Sequence, residues 1–558
     1  MKKLISSLAL AVLLWCGAAA VSCGEQNGML PDKKQLARKF DSKDRKLFVS
    51  PEKVHYPQTW FHFIGGNLSY EGITADLEAI AEAGISGVHF FHGQQGGKWP
   101  ATGEDIECMS EKWEDAVKFV AEECERLGLN FTIQNCPGWA MSGGPWIKPE
   151  NAMRILVSST QIVKGGEKVS TELKQPQPSR EEWRDYRDIA VLAFPTPAGA
   201  ADSRPQPKKI VGCGNYEWQK PILQNKQIRL SPASDGANWV EVSYDKPTAI
   251  RTLQLSSVQR FNHNMCYDPG VTVKVFAYDR KGDCTKILDA PMPQSNWQDG
   301  STMSLACEVV EDAVKYRVEI ENLYNMNISR LNLLTMAMKN SWESEACWTL
   351  RGFERTADDL VQPAEAYLKY DQIVDVTEYF STDGHFEWTP PTSGDWTILR
   401  LGHVNAGRKN APAPPSGTGW ECDKLSTDGP EAHFAGYVGK LSDGVLSDGL
   451  LNGMLLDSWE CNTQTWTLKM EEEFERVSGY ELRRWLPAVI GYVVDDPQTT
   501  SRFLLDWRTT IGDLYSNKFY RRMSELGREK GLVVTYETAA GDVFPADIME
   551  YFKYADIP

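Results

Sequence analysis

Thr59-Trp60-Phe61-His62-Phe63-Ile64-Gly65-Gly66-Asn67 is an aromatic and apolar run that stops at a glycine turn. Its residues suit a buried strand, and the glycines mark where the chain leaves the sheet. Ser69 to Gly84 then reads as a helix: Ser69 caps it, Ile73, Leu77, Ile80 and Ala81 share a face, and Gly84 stops it. Ile85 to Phe91 is a second buried strand. Glu111 to Leu127 is a second amphipathic helix, with Trp113, Val117, Val120 and Cys124 at helical spacing and Gly128 as its stop. Asn130 to Asn135 is a third strand. This β-α-β-α-β alternation predicts a parallel α/β unit.

The rhythm breaks near Ile155. From 156 to 391 the pattern is short β runs separated by turns, among them Trp239–Tyr244, Ile250–Leu255, Val271–Tyr278 and Tyr316–Glu321, with Arg280-Lys281-Gly282-Asp283 as a turn. The texture from about 205 to 340 is that of an inserted, galactose-binding-like β-sandwich. The alternation resumes from 392 to 558. Trp396 to His403, Leu451 to Trp459 and Leu532 to Glu537 read as strands, with helical stretches over 468–477, 481–485, 502–530 and 546–554. The reading gives six barrel-type strands, with a seventh beginning at Asp556-Ile557-Pro558. The expected fold is α/β: a (β/α)8 TIM-type barrel, first part 51–155 and second part 392–558, C-terminally incomplete and interrupted by a β-sandwich. Closure takes eight strands, because an open parallel sheet leaves unpaired edges.

Composition narrows the class. Lys+Arg 59 against Asp+Glu 76 gives −17, which argues against a nucleic-acid partner. The start of the chain points to export. Met1-Lys2-Lys3 is a positive n-region and Leu4 to Val21 an apolar core. Ala20-Val21-Ser22-Cys23-Gly24 resembles a bacterial lipobox, in which Cys23 is lipidated; residues 1–23 are then a lipoprotein signal and 24–50 a tether. The expected location is the periplasm or surface of a Gram-negative cell, with the membrane touched only through that anchor. Twelve cysteines include Cys16 and Cys23; the other ten form no C-x-x-C pair and stand by no histidine at ligand spacing, so zinc is not expected. Cys136 and Cys461 read as small buried thiols. No nucleotide loop, Ser-His-Asp signature or redox-cofactor fingerprint is present.

The run Leu455-Leu456-Asp457-Ser458-Trp459-Glu460 carries the chemistry. An apolar strand ends abruptly at acid, hydroxyl, indole and acid, as barrel strands do at a catalytic mouth. Glu460 beside Trp459 suits sugar cleavage, since an indole gives an apolar face to a pyranose and raises a neighbouring acid's pKa by desolvation. The bland alternative is a capping or salt-bridged acid. Glu537 ends the following strand and reads as a ligand or a base. Trp139 and Trp146, between glycines, read as a sugar platform or as loop packing. His62, His92 and His403 lie near strand ends, where a core or sugar-hydroxyl role outweighs a metal one. Asp423 and Lys424 read as pocket lining or as a solvated charge pair. Ala411-Pro412-Ala413-Pro414-Pro415 reads as a stiff loop near the active face.

Five stretches together resemble the bacterial α-L-rhamnosidases of glycoside hydrolase family 106. They are Trp60–Asn67 running into Glu71–Leu77; Asn135-Cys136-Pro137-Gly138-Trp139 with Ser142-Gly143-Gly144-Pro145-Trp146; Gly417 to Ser426; Asp457-Ser458-Trp459-Glu460; and Tyr536-Glu537-Thr538. The resemblance implies a (β/α)8 catalytic domain with β-sandwich additions, inverting hydrolysis of an α-L-rhamnoside in an oligosaccharide or polysaccharide, and calcium at the active site. Glu460 matches the family's general acid. Calcium takes oxygen ligands and shares its shell with sugar diols, so Asp457, Glu537 and the Asn135 and Asn67 carbonyls are the expected ligands. The family's general base lies on a later strand, which would follow Pro558. The competing expectation is a truncated, non-catalytic glycan-binding lipoprotein; a third is a structural surface protein.

Overall fold

The computed structural model of the chain describes residue 34 and residues 37–93, 106–139, 141–176, 185–256, 268–293, 298–351, 360–537 and 546–558, with backbone alone at 259–260. The signal segment, Cys23 and much of the tether lie outside the described residues. Within 24–50, Ser42–Val49 forms a short helix capped by Asp41, with no buried residue.

Five strands form one parallel sheet in chain order: β1 (Gln58–Ile64), β2 (Gly87–Gly93), β3 (Asn130–Gln134), β4 (Gly453–Leu456) and β5 (Val533–Tyr536). Helix α1 (Tyr70–Glu82) follows β1, and α2 (Glu111–Leu127) joins β2 to β3. The Ser69 cap expected from sequence forms, and Ser110 caps the second helix in the same way. Ser69 Oγ accepts from Gly72 N at 3.0 Å and Ser110 Oγ from Trp113 N at 3.3 Å. Gly128 ends α2 at φ 66°, a left-handed position that favours glycine.

The sheet has two unlike faces. Phe61, Phe90, Ile133, Met454 and Val534 are register neighbours and pack with Leu77, Val117 and Val120 of the helices. Each such buried side chain contributes about 1.5–3 kcal/mol. Alternation turns the next residues to the other face: His62 opposite Phe91, and Gln134, Leu455 and Thr535 in one row. This second face is mixed and partly polar, and it leads to the strand ends where the acids sit.

Two expectations are corrected. Trp396–His403 is not a barrel strand. It belongs to Gly394–Asn405, which runs antiparallel between Arg154–Gly165 and Arg187–Pro195. Every residue from Trp396 to Asn405 is buried. A strand covered on both faces loses its alternation, so its apolar run reads alike in parallel or antiparallel company. Second, the described residues form one open sheet of five parallel strands where six barrel-type strands are expected. Beyond β5, Tyr536 N donates to Ile557 O at 3.0 Å and Thr535 bridges Ile557 in parallel, so the expected next strand position is occupied.

The insertion is β-rich as expected. Lys209–Gly212, Asn238–Ser243, Val271–Asp279, Cys284–Pro291 and Ala313–Asn322 make one antiparallel sheet; Thr252–Ser256, Thr302–Ala306 and Leu331–Leu334 make another. Val271, Val273, Val275 and Ala277 alternate inward and share a core with Leu253, Leu305, Val318 and Ile320. After the insertion come α3 (Asp428–Gly436) and α4 (Pro497–Leu514), which runs through a π-helical segment, Tyr515–Tyr520, into α5 (Arg521–Glu529). No helix among the described residues is long and apolar enough to cross a membrane.

Candidate active site

Asp457 follows β4 directly and Glu537 follows β5 directly. Leu455 and Thr535 pair in register, so two residues later both acids emerge at the C-terminal rim on the face away from the helices. Glu537 N still bonds Leu456 O at 2.9 Å, which extends the ladder to the acid itself. Asp457 Oδ1 and Glu537 Oε2 are buried and accept no hydrogen bond from the described residues. Burial, and then the facing Glu537 carboxyl, push the Asp457 carboxyl up to about 9, against the Ser458 N–H. Burial and the facing carboxyl thus favour the protonated form of Asp457.

Glu460 lies three residues on, half-buried. Burial raises its pKa above the usual carboxylate range; the Ser458 hydroxyl, 3.5 Å from Oε1, opposes this, and the Glu537 charge adds to it. Three carboxyls thus meet at the ends of two adjacent strands, and two of them are biased toward the protonated form. Groups so perturbed at a strand rim suit general acid chemistry.

The turn that carries Glu460 is tightly held. Trp459 is 1% exposed. Its indole N–H bonds Asn462 O at 2.7 Å, and its ring meets Tyr515 edge-on at 4.8 Å. The expected sugar-stacking role is corrected: this indole shows no free face, and it stiffens the turn from behind. Tyr515 begins the π-helical segment, and its hydroxyl accepts from Gln464 N at 3.1 Å. Asn462 sits at φ 63°.

The second motif forms a polar relay under the rim. Trp146 Nε1 donates to His433 Nδ1 at 3.1 Å, so His433 Nε2 carries the hydrogen and donates to the Asn135 carbonyl at 2.9 Å. Burial holds His433 neutral, with its pKa down to about 3. Asn135 Oδ1 also takes the Ser142 hydroxyl at 2.6 Å. The Asn135 carbonyl, expected as a calcium ligand, is thus already an acceptor within the protein. Asn67 lies in the turn after β1, its N–H on Ile64 O at 3.1 Å. Trp146 stacks on Tyr437 at 5.3 Å, and a Cβ on Gly144 or Gly436 would strike its ring; it packs the loop.

Asp423 and Lys424 are not a solvated pair. Asp423 accepts from Leu425 N at 2.8 Å, Gln464 Nε2 at 2.5 Å and Thr467 Oγ1 at 2.6 Å. Lys424 is fully buried and donates to Glu421 Oε2 at 2.6 Å, which also takes Ser142 N at 2.9 Å. His403 lies on the antiparallel sheet, where its Nδ1 accepts from Arg154 Nε at 2.5 Å and burial, then the Arg154 charge, hold its pKa down to about 3. His62 stays with the parallel sheet: its Nε2 accepts from Trp139 Nε1 at 2.9 Å, and its ring stacks on Phe91 at 5.0 Å. His92 accepts from Trp113 Nε1 at 2.9 Å, and burial lowers its pKa to about 4. Cys136 and Cys461 are buried thiols, with pKa values raised by burial. The Pro-rich loop comes close to the second motif at Gly138, where a Cβ would lie 2.7 Å from Pro412 O.

Sequence reasoning missed His433, Tyr515 and Gln298, and it gave no role to Glu421 although the Gly417–Ser426 stretch contains it. His433, Tyr515 and Gln298 act on residues tens to hundreds of positions away, and Glu421 braces both its neighbour Lys424 and the distant Ser142 N.

A rim of unlike carboxyls on a parallel α/β sheet suits glycoside hydrolysis. The family model described as alpha-L-rhamnosidase, glycoside hydrolase family 106, matches residues 49–558. The chain belongs to that family. It is 29% identical over 512 residues to a protein of Formosa agariphila called a putative beta-glucuronidase, with 91% of this chain and 31% of that protein covered. Its structure resembles that of the rhamnosidase from Novosphingobium sp. PP1Y, with TM-score 0.75 and 26% identity over 92% of this chain and 49% of that one. The chain thus spans about a third to a half of the length of these relatives.

Proposed function

We propose that this chain is the catalytic part of an exported glycosidase that hydrolyses α-L-rhamnosides with inversion, with Glu460 as general acid. The observation that carries the reading is the raised Glu460 carboxyl beside Asp457 and Glu537 at one strand rim. Glu460 gives its proton to the glycosidic oxygen as the bond to the anomeric carbon breaks. Water adds to that carbon from the opposite face and loses a proton to a carboxylate; in inverting enzymes the two carboxyls stand about 6.5–9.5 Å apart. The family resemblance and the rhamnosidase match support the substrate class. A closed (β/α)8 barrel and a galactose-binding-like sandwich are the architecture we propose around this site, with Cys23 as the lipid anchor.

Calcium is part of the reading. Asp457 Oδ1 and Glu537 Oε2 fit a cation, being buried acidic oxygens with no hydrogen-bond donor among the described residues. These residues alone do not complete a shell: the described residues hold no group of three His, Cys, Asp or Glu side chains arranged for a metal. When bound, the ion supplies positive charge that sugar hydroxyls share. Without the ion, burial favours the protonated form of Asp457; Glu537 would serve as a ligand to the ion or as the base.

The test is hydrolysis of an aryl α-L-rhamnoside and an aryl β-glucuronide by the native protein and by Glu460→Gln, with NMR of the first-formed anomer. Rhamnoside turnover lost in Glu460→Gln, with an unchanged melting curve, supports the reading. Turnover retained in the variant, or turnover of the glucuronide alone, sinks it. Glycan binding without turnover in both proteins favours a binding module.

A further inference from the structure

Among the described residues, the insertion reaches the catalytic turn at Gln298. Gln298 is 6% exposed and lies on a loop between strands Cys284–Pro291 and Thr302–Ala306. Its Nε2 donates to Trp459 O at 2.8 Å, and its Oε1 accepts from Asn462 N at 2.8 Å. Asn462 Nδ2 returns a bond to Gln298 O at 2.6 Å. The two backbone groups held by the side chain enclose Glu460 and Cys461. The loop itself is pinned from below: Asp299 pairs with Arg351 through Nε at 2.5 Å and Nη2 at 2.9 Å, both side chains being buried, and accepts from Thr349 Oγ1 at 2.6 Å.

We propose that Gln298 is a positioning residue for Glu460, so that the β-rich insertion is a working part of the active site. This rests on Glu460 being the general acid. The chemistry is specific to an amide. An amide presents a donor and an acceptor side by side whatever the pH, and a donor is needed at Trp459 O and an acceptor at Asn462 N. Glutamate would set a second acceptor against the Trp459 carbonyl. Alanine would remove both bonds from a buried turn. The residue does not touch substrate; it fixes the turn, and it keeps water from a carboxyl whose pKa burial raises.

The experiment compares native protein, Gln298→Ala, Gln298→Glu and the control Gln254→Ala, which alters the insertion at Ser304 instead. In Gln298→Ala, kcat on an aryl rhamnoside should fall by about 10–100-fold with KM nearly unchanged, as for a misplaced group. The basic limb of kcat/KM should move to lower pH, because water admitted to the turn relieves the desolvation that raises Glu460. Gln298→Glu should lie between, and Gln254→Ala should match the native limb. A fall in kcat with an unmoved limb means only lost folded protein and overturns the proposal. A second readout needs no activity: hydrogen exchange of the peptide over 457–464 should quicken in Gln298→Ala and not in Gln254→Ala. If native protein turns over no rhamnoside, the role of Glu460 falls and this proposal falls with it; unchanged exchange then shows that the clasp is absent as well.

Discussion

Asp423 and Asp457 are each 2% exposed, and they are opposites. Asp423 has three hydrogen-bond donors on its two oxygens and sits in a loop braced by the Lys424–Glu421 pair. Asp457 faces another carboxyl and leaves Oδ1 bare. Equal burial therefore says nothing about role; the partners do. A buried acid whose donors are supplied is architecture. One left without donors is either a liability or a place for a proton, a cation or a substrate.

The contrast is broken most strongly at Glu460. Glu460→Gln keeps the shape and loses the proton, so kcat should fall by about 10²–10⁴-fold with an unchanged melting curve. A variant that retains native turnover would make the rim as structural as the loop. Next comes Lys424→Met. It strands the Glu421 carboxylate in a buried site, and a urea midpoint should register a loss of about 3–5 kcal/mol. The double variant Lys424→Met with Glu421→Leu should recover most of that.

The sharpest comparison swaps the same atom at both aspartates. Asp423→Asn replaces an acceptor oxygen by an amine facing donors, and should destabilise by about 1–3 kcal/mol across pH. Asp457→Asn should do the reverse. The Asp457 carboxyl titrates near 9 in the fold and near 3.8 when free, so the folded state binds the extra proton between those values. Its contribution is fully present below about pH 4 and is lost as pH rises toward 9. Asp457→Asn escapes that loss: it should melt above the native protein at pH 8 and with it at pH 4. Added calcium should narrow the gap at pH 8, and a gap that ignores both pH and calcium would refute the assignment. The smallest effect expected is that of Trp139→Phe, which removes the bond to His62 Nε2. It should lower stability by about 1 kcal/mol, read as a small shift in the same melt.

Much of this was legible from sequence, for physical reasons. β1 to β3 and their helices have one apolar face each, so period and caps announce them. The acids at 457, 460 and 537 stand out because an apolar strand has no packing reason to end in carboxyls. Gly394–Asn405 was misleading because burial on both faces erases the period that separates sheet types. Trp459 was misleading because a tryptophan beside an acid reads the same whether its ring faces the mouth or Tyr515. His433 and Gln298 were invisible: His433 Nε2 meets Asn135 across 298 positions and Gln298 meets Trp459 across 161, and only the fold supplies that adjacency.

The wide turn at Tyr515–Tyr520 has a consequence for how this chain tolerates change in length. It adds a residue to a helix that otherwise advances about 100° per residue. Tyr515 meets the catalytic turn on one side of it, while Met523 and Leu526 of α5 enter the core on the other. Deleting one residue there would restore a regular helix and rotate everything after it by that angle, turning Met523 and Leu526 outward. The segment acts as a phase shifter: its length is fixed by two surfaces that must stay in step, and indels should be excluded from it although they leave both surfaces chemically intact.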